Sequence, residues 1–326
     1  MSATAFLPQT LQVPLPSPAS KKHPSGKKKP FAITQVYNLL LQGVYEHYLV
    51  LAEQLTERHY AAATIKHVER RLKELADHKY LDYLQLKTAK GSGPYVYFLA
   101  TKGRRYFQDA GCDLKRYYRP SKEQDRSYFH LMHTLELNDV LVKAHAFARM
   151  TEGFSIVEMH HDLTLRRKPI RVAVKRRENG MLKEIADEIV ADAWLAFLLP
   201  DNSRRWLWLE HDRGQAGSKK VKEHLRGILA FIQAGGYKTE FGAQGMTVAY
   251  TTSGGINRRE KLREWTREVL MEHTQLTNYR VSFGNWFLFT AVPPLRSLLL
   301  EPVTLFQENV WYHPFGNKPT AMFRVD

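Results

Sequence analysis

The stretch IVADAWLAFLLPDNSRRWLWLEHD, residues 189–212, decides the fold. Two runs rich in apolar and aromatic side chains flank Pro200-Asp201-Asn202-Ser203, a cluster of turn-forming residues. The stretch therefore predicts a β-hairpin with Ile189–Leu199 and Arg204–Asp212 as its arms. A turn centred between Asp201 and Asn202 sets Asp192 opposite His211, with Glu210 and Asp212 at the diagonals. Glu210 and Asp212 are two residues apart and share one strand face. Three carboxylates then converge at the open end of the hairpin, and a slip of one residue still leaves Asp192 opposite one of them.

Like charges so spaced repel unless a cation joins them. A hard divalent ion, Mg²⁺ or Mn²⁺, held by Asp192, Glu210 and Asp212 is one solution. Such an ion activates water and stabilises charge on a phosphodiester. The other reading leaves the three as solvated strand-end residues. Downstream, Val221, Leu225, Ile228, Leu229 and Ile232 fall at helix spacing, with Lys219, Lys220, Lys222 and Arg226 off that stripe. Lys222 and Arg226 lie four apart on one face, which suits either a phosphate contact or a plain solvated surface. Glu158 is a further acidic candidate on an alternating strand, or a surface residue of it. His160 and His161 are adjacent and point to opposite strand faces, so they do not pair as ligands. His133 reads as a core histidine. The chain has no Walker loop, Rossmann glycine pattern or zinc-protease helix.

Upstream, from Phe31, the pattern turns helical. Val36, Leu39, Leu40 and Val44 recur at helix spacing, Leu49–Leu55 forms a short second helix, and Ile65, Val68, Leu72 and Leu75 line a third. Strand-like runs follow at 80–86 and 95–99, joined by a tip from Lys87 to Gly93. Three helices and a hairpin are the order of a winged helix-turn-helix. Thr64, Lys66, His67, Arg70, Arg71 and Lys73 on the third helix suit a major groove, and Lys87 and Lys90 at the wing suit a neighbouring phosphate. Such modules also serve protein pairing. The module ends near Pro120, giving 31–120 as the DNA-binding domain and 121–326 as a second domain. Residues 1–30 hold six prolines and five lysines and read as a disordered tail, touching phosphate or simply aiding solubility.

The 48 Lys and Arg against 33 Asp and Glu leave a net charge of +15, which makes double-stranded DNA the expected partner. The single cysteine, Cys112, excludes a disulfide framework and a thiolate zinc site and makes the cytoplasm the expected compartment. No apolar run is long enough to span a bilayer, and none forms a secretory signal.

In the second domain a helix runs through His130, His133 and Asn138 to about Met150. Gln244–Thr252 reads as a buried strand, Arg258–Glu272 as a helix and Val281–Val292 as another strand. That alternation predicts a mixed-sheet α/β domain. The residues His133-Thr134-Leu135-Glu136-Leu137-Asn138-Asp139, Ala191-Asp192-Ala193 and Leu209-Glu210-His211-Asp212-Arg213-Gly214 resemble the replication-relaxation family, which includes the MobC-type relaxases of mobilisable plasmids. The resemblance covers residues 31–290. It implies a restriction-endonuclease-like second domain with Asp192, Glu210 and Asp212 as metal-dependent strand-cleavage residues. The chain departs from that pattern at Ala191, where proline is usual, and at Glu210-His211-Asp212, where Glu-x-Lys is usual. Lys220 or Lys222 is the expected substitute for the missing cation.

Two functions fit. One is an Mg²⁺- or Mn²⁺-dependent nickase, or relaxase, at a plasmid or mobile-element origin, working with other mobilisation or replication proteins. The other is a non-catalytic replication or transcription regulator with a degenerate nuclease-like domain. A transposition or recombination accessory is a third.

Overall fold

A computed structural model describes residues 31–60, 64–88, 91–112, 120–123, 125–178, 181–272, 283–295 and 301–323. The proline-rich segment 1–30 and Lys90 lie outside the described residues. The chain divides into two compact units at Val142/Lys143, inside its longest described helix.

The N-terminal unit runs α1 (Gln35–His47), β1 (Val50–Leu51), α2 (Ala52–His59), α3 (Ile65–Asp77), β2 (Leu81–Thr88), β3 (Gly91–Leu99), α4 (Thr101–Asp109), α5 (Pro120–Glu123) and the first part of α6 (Tyr128–Met150). Three helices thus precede an antiparallel hairpin, and β3 also pairs with β1 to give the sheet order β1-β3-β2. The helical spacing of apolar residues explains the packing: Leu40, Leu41 and Val44 of α1 and Val68, Leu72 and Leu75 of α3 are all buried. Lys66, His67, Arg70 and Lys73 are left exposed on α3, as is Lys87 on β2. Thr64 and Arg71 are half-buried, and the Arg71 guanidinium stands 5.5 Å from the centre of the Tyr37 ring.

One buried amide ties this unit together. Asn138 of α6 donates from Nδ2 to the carbonyls of His47, at 2.9 Å, and Leu49, at 2.6 Å. Its Oδ1 lies 3.2 Å from His47 Nδ1. Gln54 of α2 adds bonds from Nε2 to the Leu135 carbonyl and to Asp139 Oδ1. Chain leaving α1 cannot satisfy its last carbonyls within the helix; the His47 carbonyl takes the Leu49 amide at 2.8 Å together with the Asn138 amide from elsewhere in the unit.

The C-terminal unit contains β4 (Ser155–His161), α7 (Asp162–Leu165), β5 (Ile170–Glu178), β6 (Met181–Ile189), β7 (Ala193–Leu198), β8 (Arg204–Asp212), α8 (Ser218–Gln233), α9 (Gly236–Phe241), β9 (Thr247–Thr252), α10 (Gly255–Glu272), β10 (Phe287–Ala291) and α11 (Pro302–Gln307). Five strands form one sheet in the order β10-β9-β8-β7-β4, parallel from β10 to β8 and antiparallel from β8 to β4. The fold is therefore mixed α/β. Trp194 and Trp208 face each other across β7 and β8 and are fully buried with Val221, Leu225 and Ile228 of α8. The other face of β7 carries Phe197, whose ring meets those of Phe147, Phe306 and Phe323.

Two details differ from the sequence expectation. The apolar run from Ile189 is not one strand: Ile189 closes β6, and Val190–Asp192 carry the chain from a separate two-stranded sheet into β7. The hairpin also turns one half-step earlier than expected. Leu198 pairs with Arg204 and Ala193 with Leu209, so the loop centres on Asp201 and the register points Asp192 toward Glu210 rather than His211. Asn202 absorbs the turn in the left-handed region at φ 61°, and the Leu199 and Asn202 amides close it on the Ser203 and Leu199 carbonyls.

Replacing Asn138 by Ala takes the side-chain donor from the Leu49 carbonyl and one of two donors from the His47 carbonyl, which keeps the Leu49 amide at 2.8 Å. The expected loss is about 2 kcal/mol or more of unfolding free energy, read from the denaturant midpoint of the N-terminal unit's signal. An unchanged midpoint would remove Asn138 from this role.

Candidate acidic site of the C-terminal unit

The carboxyl ends of β8 and β9 lie side by side, with Glu210 level with Tyr250 and Asp212 level with Thr252. Helices α8 and α10 follow these two strands, so their N-termini leave from the same end of the sheet. In parallel α/β sheets this end gathers loops and helix N-termini and is where ligands bind. Asp192 joins from the start of β7, the strand antiparallel to β8.

Each sequence-predicted carboxylate has a defined partner. Asp192 Oδ2 accepts the His211 backbone N–H at 2.8 Å, which continues the β7–β8 ladder with a side chain. Glu210 Oε1 accepts Trp208 Nε1–H at 2.6 Å and lies 2.9 Å from His224 Nε2 of α8. Asp212 receives a two-pronged contact from Arg258 of α10, Nε to Oδ1 at 2.7 Å and NH2 to Oδ2 at 2.8 Å. The Gly214 amide donates to the same Oδ1 at 2.7 Å. Gly214 sits at φ +82°, a conformation that glycine adopts without strain. Arg258 also donates to the Ala216 carbonyl and lies over Trp265, with its guanidinium carbon 4.8 Å from the ring centre.

Among the described residues no group of three or more His, Cys, Asp or Glu side chains is arranged to hold a metal ion. Two of the three carboxylates contact basic side chains of the chain itself, Arg258 and His224.

The basic residues of α8 also take other positions than expected. Lys222 is ion-paired with Glu268 of α10, and Arg226 grips Glu272 with two bonds of 2.9 Å. Lys219 and Lys220 are exposed. The basic side chain beside Glu210 is His224, absent from the residues that the sequence singles out. Its position is nonetheless legible: 224 belongs with 221, 225 and 228 on the inward stripe of α8. Arg258 gives no such signal, because its partner lies 46 residues away. Glu158 lies apart from the cluster, paired with His160 at 2.8 Å on β4. His161 Nδ1 is 2.6 Å from Asp162 Oδ1.

The electrostatics follow from burial and pairing. Burial raises the Glu210 carboxyl above the ordinary range, opposed by His224 and reinforced by Asp192. Burial pulls His224 down, but the Glu210 carboxylate outweighs it, with Asp192 and Asp187 adding in the same direction, and the imidazole is raised. The Tyr250 phenol is pushed well up by burial and then by Glu210, Asp192 and Asp212, and its hydroxyl has no hydrogen-bond partner among the described residues. Glu210 Oε1 and His224 Nε2, 2.9 Å apart, are within hydrogen-bond distance of each other.

Both shifts are upward, so both favour the fold in acid and lose that contribution as pH rises. For His224 the loss begins above its ordinary value near 6.5. Thermal unfolding from pH 6.5 to 8.5 is expected to show wild type losing more stability with pH than Glu210→Gln, in which the imidazole lacks its carboxylate. Parallel curves would show that the two side chains are not paired.

A family model described as replication-relaxation matches residues 41–245, a span that includes Asn138, Asp192, Glu210, Asp212 and His224. No curated protein and no solved structure matches the chain. No described helix is long and apolar enough to cross a membrane. With well over half of its length covered, and with the residues that carried the resemblance inside that span, this chain belongs to the replication-relaxation family.

Proposed function

We propose that this protein binds double-stranded DNA at a plasmid or mobile-element origin and nicks one strand there, in replication or mobilisation. The observation that carries the reading is the Glu210–His224 pair beside Asp192, at the carboxyl ends of parallel strands in a chain of net charge +15. A phosphodiester is an anion. A proton shared between a carboxylate and an imidazole suits transfer to a leaving oxygen or from an attacking one. The N-terminal unit supports the targeting half: as a winged helix-turn-helix it presents Thr64, Lys66, His67, Arg70, Arg71 and Lys73 of the α3 segment to a major groove. Lys87 and Lys90 of the hairpin would meet the adjoining backbone.

The non-catalytic regulator is favoured by a different observation. Asp212 is held by Arg258 with both oxygens engaged, and a carboxylate so occupied stabilises the fold without taking part in chemistry.

One assay separates the two. Supercoiled plasmid carrying the cognate origin is incubated with wild type, Asp192→Ala, Glu210→Ala and His224→Ala, with Mg²⁺, with Mn²⁺ and with chelator. Strand nicking is expected from wild type and is expected to fall by about 100-fold or more in the Glu210 variant, as loss of an acid–base group does. Tight binding without nicking under every condition would leave the regulator.

A further inference from the structure

Strands β2 and β3 pair from Leu81↔Leu99 outward, and the register shifts once, between Gln85↔Tyr95 and Lys87↔Ser92. Residues directly opposite in an antiparallel pair share a face, and alternate residues repeat it. Leu86, Val96 and Phe98 turn one face of the hairpin to the core. The reverse face carries Tyr83 opposite Tyr97, Gln85 opposite Tyr95 and Lys87 opposite Ser92.

This reverse face is aromatic, not aliphatic. Tyr97 is buried at its base, whereas Tyr83 and Tyr95 are 44% and 45% exposed. The rings of Tyr83 and Tyr95 stand 4.9 Å apart, tilted by 68°, and lie 6.1 and 6.5 Å from that of Tyr97. Gln85 Nε2 donates to the Gly93 carbonyl at 3.2 Å, which holds the amide beside Tyr95. The exposed part of the face is thus two phenols, an amide, a hydroxyl and an ammonium. It has no aliphatic side chain to supply the apolar centre that a protein interface buries.

Lysines border the face at both ends. Lys87 is exposed one alternate position beyond Gln85. At the base, the Tyr97 hydroxyl is raised by burial and then by Glu69 of α3, with Glu53 of α2 adding less. Glu69 therefore marks the turn of α3 that adjoins the tyrosines. Lys66 and Lys73, three residues before it and four after, lie on the same side of that helix, and both are exposed.

A paired base has its faces covered by its neighbours and opens only its edges to the grooves. An exposed aromatic ring stacks on a base only where the strand is unpaired. We propose that Tyr83 and Tyr95 are a stacking platform for the bases of single-stranded DNA, with Lys87 at one end and Lys66 and Lys73 at the other for its phosphates. The platform rests on the DNA-binding part of the function proposed above and names the separated strand as a ligand of the N-terminal unit.

The test uses the full chain and two labelled probes, a single-stranded oligothymidylate and a duplex of random sequence. Loss of a ring that stacks on a base weakens single-strand binding by about 5-fold or more. Tyr83→Ala/Tyr95→Ala is expected to bind oligothymidylate about 25-fold more weakly, two such losses combined, and to bind duplex as wild type does. Tyr83→Phe/Tyr95→Phe keeps both rings and is expected to keep both affinities. A readout independent of variant folding is photocrosslinking of wild type to the oligonucleotide carrying iodouracil, with adducts expected on Tyr83 or Tyr95. Binding of duplex alone, equal losses on both probes, or adducts on neither tyrosine overturns the platform and leaves the DNA-binding reading intact. So does an unchanged single-strand affinity in the Ala variant, and if that variant also loses self-association in sedimentation the face belongs to a second copy of the chain. Failure of wild type to bind either probe overturns both.

Discussion

The pairing of Trp194 with Trp208 is the constraint on which the C-terminal unit depends. Both indoles are fully buried against α8. A slip of one residue between β7 and β8 would turn one of them to the opposite face, where Phe147, Phe197, Phe306 and Phe323 already fill the space. The register is fixed by packing at the middle of the hairpin, and its open end has no freedom left. Asp192 meets the His211 amide, and Glu210 stands in the same row as Trp208 and under His224, because the indoles permit no other arrangement.

A buried carboxylate needs hydrogen bonds or a counter-charge, and this unit supplies both from neighbouring elements. Glu210 takes them from its own strand and α8, and Asp212 takes them from Gly214 and α10. Lys222 and Arg226 bind Glu268 and Glu272, so the face between α8 and α10 is stitched by charge. The basic side chain that faces Glu210 is a histidine, His224. A histidine can release its proton near neutral pH and a lysine ordinarily does not.

The helical stripes of α1, α3 and α8 are readable because helix periodicity repeats every three to four residues. A buried face then announces itself locally through Leu40 and Val44, Val68 and Leu72, or Val221 and Leu225. The 189–212 hairpin is readable as a hairpin, but its register is not, since one residue more or less in a loop leaves the apolar pattern of both arms unchanged. The stretch up to Gly180 reads as strand and loop, but the pairing of β5 with β6 is not part of that reading although its signal is present. Asn179-Gly180, between an alternating run ending at Glu178 and another beginning at Met181, is the residue pair that a two-residue hairpin turn prefers. Asn138 is visible only as part of a motif. Its bonds to the carbonyls of His47 and Leu49 give that motif a structural role.

By itself the sequence determined the alternation of elements, the mixed α/β class, the basic exposed face of α3 and the identity of the acidic residues, because each depends on local spacing or composition. Only the tertiary structure decided which cation each carboxylate meets. Arg258 reaches Asp212 across 46 residues, and His224, not Lys222, reaches Glu210. Such pairings depend on how helices lie across strands, and local spacing does not encode that. Of the three carboxylates read from the sequence, Asp212 thus meets Arg258 and Glu210 meets His224, while Asp192 takes the His211 amide.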